Sequence, residues 1–272
     1  MYKEIIYQYG PFIEHEIKHP GKCGAKGEKR EKKKKATPEQ VRKQNQYNKE
    51  KKVLRETRAN FEVGDLWVTL KFPAGTRMQP EELIDIRKKF LDNLRDNYNR
   101  RKTKLKFMCR AEIGERGGAH LHLIVNQLEN GGAAELIQRL WKKYGTVHFV
   151  PLYEEGHFKQ LAEYLVKPLK EEISGQMTLW GTEKETKLYS RYTCSRNLIE
   201  PEPEEHTYKR RTVRKLVEEG PTPKEGYYID RDSIRSGVNP FTGMSYFYYT
   251  EIRLDAYKSP YSGTVKKRGE PE

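Results

Sequence analysis

The segment that most constrains this chain is Ala111 to Asn126, A-E-I-G-E-R-G-G-A-H-L-H-L-I-V-N. His120-Leu121-His122 runs into Leu123, Ile124 and Val125, a β-rich apolar stretch that reads as a buried strand. Side chains alternate faces along a strand, so the two histidines point one way and Leu121, Leu123 and Val125 the other. Lys104 to Ile113 also reads as a strand, and Gly114-Glu115-Arg116-Gly117-Gly118 supplies the turn that folds the pair into a hairpin. With a five-residue loop, Glu112 falls opposite His120, and opposed residues of an antiparallel pair share a face. Two imidazoles and a carboxylate with open coordination positions suit a divalent cation acting as a Lewis acid. Glu115, in the loop, is the rival third ligand, and strand parity favours Glu112.

The elements around this hairpin follow one plan. Asp65 to Phe72 alternates as a half-buried strand with Leu66, Val68, Leu70 and Phe72 inward. Pro80 opens a helix to about Arg101 with Leu83, Ile86, Phe90, Leu91, Leu94 and Tyr98 in one stripe. After the hairpin come a helix with Leu136, Ile137, Leu140, Trp141 and Tyr144 on one side, and a strand from Val147 to Leu152. Strand, helix, strand, strand, helix, strand is the order of a ferredoxin-like antiparallel sheet, an α+β fold resembling an RNA-recognition module. The expectation is helices on one face and a second face free for chemistry.

The chain carries 53 Lys and Arg against 39 Asp and Glu, a formal net charge of +14, which favours a polyanionic partner such as nucleic acid. Residues 1 to 60 hold 17 of those cations against 8 carboxylates, so most of the excess is N-terminal. The run G-E-K-R-E-K-K-K-K reads as a solvated arm, and Thr37-Pro38 opens a polar helix to about Arg58 with too few apolar positions to pack deeply. His15, His19 and Cys23 are spaced by four, but Pro20 and Gly21 break the helix that would align them. The domain plan is therefore 1–60, a basic N-terminal arm and helix; 61–200, the catalytic domain; and 201–272, an accessory region with a basic cluster at Lys209 to Lys215 and short strands at Gly226 to Ile229 and Met244 to Leu254. Cys23, Cys109 and Cys194 are odd in number and far apart, which argues against a disulfide framework. With no long apolar run and no apolar leader core, the expectation is a cytoplasmic protein with no membrane partner.

One further pair matters by position. A helix from about His157 to Lys167 buries Phe158, Leu161, Ala162 and Leu165, with Tyr164 at the stripe's border and Lys167 one turn on, before Pro168 stops it. A phenol becomes a useful nucleophile beside a cation, and an ammonium neutralises charge developing on phosphorus.

These features together resemble the HUH endonucleases, and among them the single-tyrosine rolling-circle replication initiator (Rep) proteins of bacterial plasmids, phages and integrative elements. V-T-L-K-F at Val68 to Phe72 is similar to the family's first-strand motif, G-A-H-L-H-L-I at Gly118 to Ile124 to its histidine motif, and Tyr164 to Lys167 to its tyrosine motif, in the Rep order of histidines before tyrosine. Ser190 to Leu198 looks similar to a segment that follows the nuclease core in Rep proteins of Gram-positive elements. The resemblance implies that Glu112, His120 and His122 hold Mg²⁺ or Mn²⁺, and that Tyr164 attacks single-stranded DNA at a replication-origin nick site. That step leaves a 5′-phosphotyrosine and a free 3′-hydroxyl, and Lys167 assists. Lys71, standing where the family has Thr, joins Arg110, Arg116, Arg191 and Arg196 as a candidate DNA contact. A single tyrosine implies either a homodimer or reuse of Tyr164. With no Gly-x-x-x-x-Gly-Lys-Ser/Thr loop in the chain, the resemblance further implies a host helicase and polymerase as partners. Two other readings fit: a single-tyrosine HUH transposase, which shares the chemistry, and a non-catalytic single-stranded nucleic-acid-binding protein, which calls for aromatics where the histidines and Glu112 stand.

Overall fold

The computed structural model describes residues 1–21, 29–113, 118–152, 157–166, 192–209 and 213–255. The chain forms two compact units, Pro38–Glu200 and a second made of Met1–Thr37 with Pro201–Glu272. Each contains one five-stranded antiparallel sheet.

In the Pro38–Glu200 unit, β3 (Leu66–Lys71), α2 (Pro80–Arg100), β4 (Phe107–Ile113), β5 (Ala119–Val125), α3 (Ala133–Trp141) and β6 (Thr146–Pro151) follow one another. The spatial strand order is β6-β3-β5-β4, closed on β4's outer edge by the two-residue β7 (Thr193–Cys194). This is the ferredoxin-like arrangement expected from the element order, and it is consistent with an HUH-like palm. Leu66, Val68 and Leu70 of β3 and Leu121, Leu123 and Val125 of β5 face α2 and α3, where Leu83, Phe90, Leu94, Leu136, Ile137 and Trp141 complete the main core. Burying each such side chain contributes about 1.5–3 kcal/mol.

The opposite sheet face is only partly open, where the sequence suggested that helices would leave it free. α1 (Pro38–Asn60) and α4 (His157–Val166) lie side by side on it. There Val53, Phe61, Phe158, Ala162, Leu165 and Val166 pack with Met108 and Ile124. Helix α1, which looked too polar to pack, does so through its C-terminal half by burying short polar groups that satisfy themselves. Thr57 Oγ1 donates to Val53 O at 2.8 Å, and Asn60 both donates to Ile199 O and accepts from Ile199 N, each at 2.8 Å. Gln46 Nε2 donates to Val166 O at 2.8 Å, satisfying a carbonyl at the end of α4.

The second unit contains β1 (Tyr2–Tyr9), β2 (Phe12–Lys18), β8 (Pro203–Tyr208), the short helix α5 (Arg214–Glu219), β9 (Tyr227–Asn239) and β10 (Met244–Arg253), in the order β8-β1-β2-β10-β9. Its core includes Tyr2, Ile17, Val213, Met244, Phe247 and Tyr249. Residues 1–18, read from the sequence as part of a basic arm ending at 60, are therefore two inner strands, paired with partners from beyond residue 200. The hairpin turns on Gly10-Pro11, with Gly10 at φ 51°, a conformation open to glycine at the first position of a two-residue turn. The lysine run is tethered at its backbone: Glu31 N–H donates to Gly243 O and Lys34 N–H to Pro240 O, while the side chains of Lys32 to Lys35 stay exposed.

Candidate metal and nucleophile site

Three rows of side chains cross the partly open sheet face from β6 to β4. The first is Thr146, Lys71, His120 and Glu112; the second is His148, Thr69, His122 and Arg110; the third is Val150, Trp67, Ile124 and Met108. Glu112 pairs with His120 as strand parity predicts. Glu112 Oε2 lies 3.6 Å from His120 Nε2 and 3.4 Å from His122 Nε2, and a ligand atom from each of the three residues lies within 4.8 Å of the others. Donors held about 2.1 Å from a cation stand about 3–3.5 Å apart, so this spacing fits a divalent ion with little rearrangement. Among the described residues it is the group of three that meets this test.

The surroundings orient these donors. Thr69 Oγ1 lies 3.4 Å from His122 Nδ1, which leaves Nε2 aimed at Glu112. Trp67 stacks on the His122 ring at 5.4 Å between centroids and meets the Tyr164 ring edge-on at 5.8 Å. Burial pushes His122 below the usual imidazole range, aided by the charges of His120 and Arg110 and opposed by Glu112. Burial alone would raise the Glu112 carboxyl, but hydrogen bonds from His120, His122 and Tyr164 outweigh it and hold that carboxyl well below the usual range. The group is therefore an ionised carboxylate beside an imidazole kept neutral, the protonation state a cation needs.

Tyr164, on α4, reaches into this group. Its hydroxyl donates to Glu112 Oε2, and His122 Nε2 lies 3.0 Å from the same oxygen. Burial, and then the hydrogen bond to the Glu112 carboxylate, raise the phenol above its ordinary pKa. Arg110, proposed from sequence as a DNA contact, is buried and donates from Nη1 to Tyr164 O at 2.9 Å, so it fixes α4 over the sheet. Lys71 is exposed beside His120, and Arg196 is exposed in the turn after β7. Lys167, Arg116, Arg191 and the rival ligand Glu115 lie outside the described residues.

Residues 65–171 match a family model of replication-associated proteins, the ORF2 family. The match supports a Rep-type replication initiator, and with it DNA as the partner. No curated protein and no solved structure matches the chain. The matched span begins at β3 and runs just past α4, so it contains the whole of this site. No helix among the described residues is long and apolar enough to cross a membrane.

Sequence reasoning did not find Trp67 and Thr69. Both share the histidines' face, but only the pairing of β3 with β5, separated in sequence by a helix and a strand, brings them together.

Proposed function

We propose that this protein initiates rolling-circle replication by nicking and rejoining one DNA strand at an origin, with Tyr164 as nucleophile and Glu112, His120 and His122 as the ligands of Mg²⁺ or Mn²⁺. The observation that carries the reading is the Tyr164 hydroxyl seated on Glu112 and His122, within the span matched by a replication-associated family. Bound there, the cation supplies Lewis-acid polarisation of the scissile phosphate. Tyr164 Oη forms a bond to phosphorus as the bond to the 3′ oxygen breaks, conserving the ester energy in a 5′-phosphotyrosine. The phenol's proton passes to solvent and the departing 3′ oxygen takes one up, so the step is proton-neutral. A returning 3′-hydroxyl reverses it and reseals the strand.

Glu112 has two duties on this reading. As the anion beside the phenol it keeps Tyr164 protonated, and once engaged as a ligand it no longer accepts that proton. Arg110 and Trp67 hold the tyrosine in place meanwhile. Lys167 is proposed to assist Tyr164, Arg196 to contact DNA, and a host helicase and polymerase to extend the freed 3′-hydroxyl. A second subunit or a second use of Tyr164 would end the round.

The test is to incubate the protein and Tyr164→Phe with Mn²⁺, circular single-stranded DNA and a labelled pool that includes the element's own origin, then to separate protein-linked label on denaturing gels. An adduct that disappears in Tyr164→Phe and with EDTA supports the assignment. DNA binding without an adduct on any substrate overturns it in favour of a binding protein.

A further inference from the structure

Beside the tyrosine and the three ligands, the same sheet face carries an open polar corner that the nicking mechanism leaves unused. Lys71 on β3 neighbours His120, Thr146 on β6 neighbours Lys71, and His148, two residues along β6, neighbours Thr69. All three are exposed, whereas Trp67 and Val150 in the next row are half-buried toward α4. Neighbouring strands run about 4.8 Å apart, so Lys71 is rooted one strand from His120 and Thr146 two strands from it.

Lys71 ends β3, where a strand would ordinarily be free to fray, yet its backbone is held from two sides. The Trp141 indole N–H donates to Lys71 O at 3.2 Å. A Cβ on Gly145 would fall 2.0 Å from that same oxygen, so only a glycine lets the chain enter β6 at this distance. The Trp141 ring is itself locked between Phe72 and Phe90, each about 5.1 Å away between centroids. A solvating lysine needs no such support, while a binding group is placed by a rigid backbone. Lys142 and Lys143, both exposed in the turn leading to β6, add positive charge at that end of the sheet.

We propose that Lys71, Thr146 and His148 form a phosphate-binding strip that takes the backbone of single-stranded DNA next to the scissile phosphate. The inference rests on the nicking function above and names where the strand lies. An ammonium supplies charge, and a hydroxyl and an imidazole N–H supply hydrogen bonds to phosphate oxygens, contacts that position a strand without reading its sequence. The strip is narrow, because the row beyond it carries α4, so it suits one extended strand rather than a duplex. These residues bind; they do not take part in bond making.

The test measures anisotropy of a labelled random single-stranded oligonucleotide over a series of salt concentrations. The full chain is compared with Lys71→Gln, His148→Ala and, as a control on the far side of the sheet, Lys88→Gln on α2. Lys71→Gln is expected to lower the slope of log affinity against log salt by about 0.7, which is about fivefold in affinity between 1 M and 0.1 M salt. His148→Ala is expected to weaken binding by a factor of about two to ten, and Lys88→Gln to change neither quantity. Adduct formation at saturating DNA should keep its rate in both strip variants while half-saturation moves to higher DNA concentration. Wild-type slope and affinity in Lys71→Gln, with adduct formation intact, would overturn the strip and leave the nicking function standing. A reduced slope in Lys71→Gln with no adduct from any form would support the strip as a single-strand site and remove the nicking function.

Discussion

Replacing Thr69 with Val separates the orientation of His122 from its presence. Val preserves the branched shape at a buried β3 position but removes the hydroxyl that stands 3.4 Å from His122 Nδ1. Partners of this kind, one step behind a metal ligand, are worth about 10- to 100-fold in metal affinity. At 3.4 Å the bond is long, and a net hydrogen bond of about 0.5–1.5 kcal/mol corresponds to roughly two- to twelvefold, so the lower end applies: about tenfold, or about 1.4 kcal/mol. The Trp67 stacking contact remains and still restrains the ring plane, which also argues against a larger loss. The variant additionally leaves a buried imidazole nitrogen without that partner, at a cost of about 1–3 kcal/mol to the fold. Calorimetric titration of the metal-free protein with Mn²⁺ measures the first effect and urea unfolding the second. Thr69→Ser, which restores a hydroxyl, should recover most of the affinity. An Mn²⁺ dissociation constant within twofold of wild type in Thr69→Val, alongside a large loss in His122→Ala, would refute the claim that Thr69 orients the ligand.

Two more outcomes follow from the geometry. Asn60→Ala removes both hydrogen bonds to the Ile199 backbone and should destabilise the protein by about 1–3 kcal/mol, read as a fall in urea midpoint with little change in the slope of the transition. The metal-free protein should lose stability as pH falls: His122 has a depressed folded pKa, so the unfolded chain binds the proton more readily and the loss begins near pH 6.5. Glu112, also depressed, adds its loss only below about pH 4.5. Urea midpoints at pH 8, 6 and 4 test the order, and in His122→Phe the fall between pH 8 and 6 should shrink.

The sequence made the hairpin legible because its information is local. Five turn residues and a period of two are enough to put Glu112 opposite His120, and the pairing observed is the one predicted. The ferredoxin-like order was legible for the same reason, since each strand and helix carries its own periodicity. What was hidden depends on distant partners. In Tyr2 to Tyr9 and Phe12 to Lys18, Glu4, Glu14 and Glu16 break up the apolar pattern, and their burial makes sense only beside β8 and β10 from the other end of the chain. Arg110 read as a DNA contact because cations in a basic chain suggest phosphates, whereas its actual partner is a backbone carbonyl on a helix 54 residues later. Helix α1 misled for a third reason: burying Thr57 and Asn60 leaves no hydrophobic signature, although both satisfy their polar groups within a few ångströms.

The division of one sheet face into a covered and an open part explains how a nucleophile from a separate helix finds the ligands. Along β5 the outward side chains change from Ile124 to His122 to His120, along β4 from Met108 to Arg110 to Glu112, and along β3 from Trp67 to Thr69 to Lys71. All three strands thus pass from apolar to polar in the same direction across the same rows. Helix α4 needs an apolar floor for Phe158, Ala162 and Leu165, so it settles on the Ile124 and Met108 end and cannot extend over the charged end without burying unpaired ions. Tyr164, at the border of that helix's apolar stripe, is then left at the boundary between the two regimes. Arg110 in the middle row secures it there through the helix backbone, and its hydroxyl falls on Glu112 and His122. The placement of the tyrosine follows from a polarity gradient shared by three strands, and a polar substitution at Ile124 or Met108 would loosen the nucleophile before it touched a single ligand.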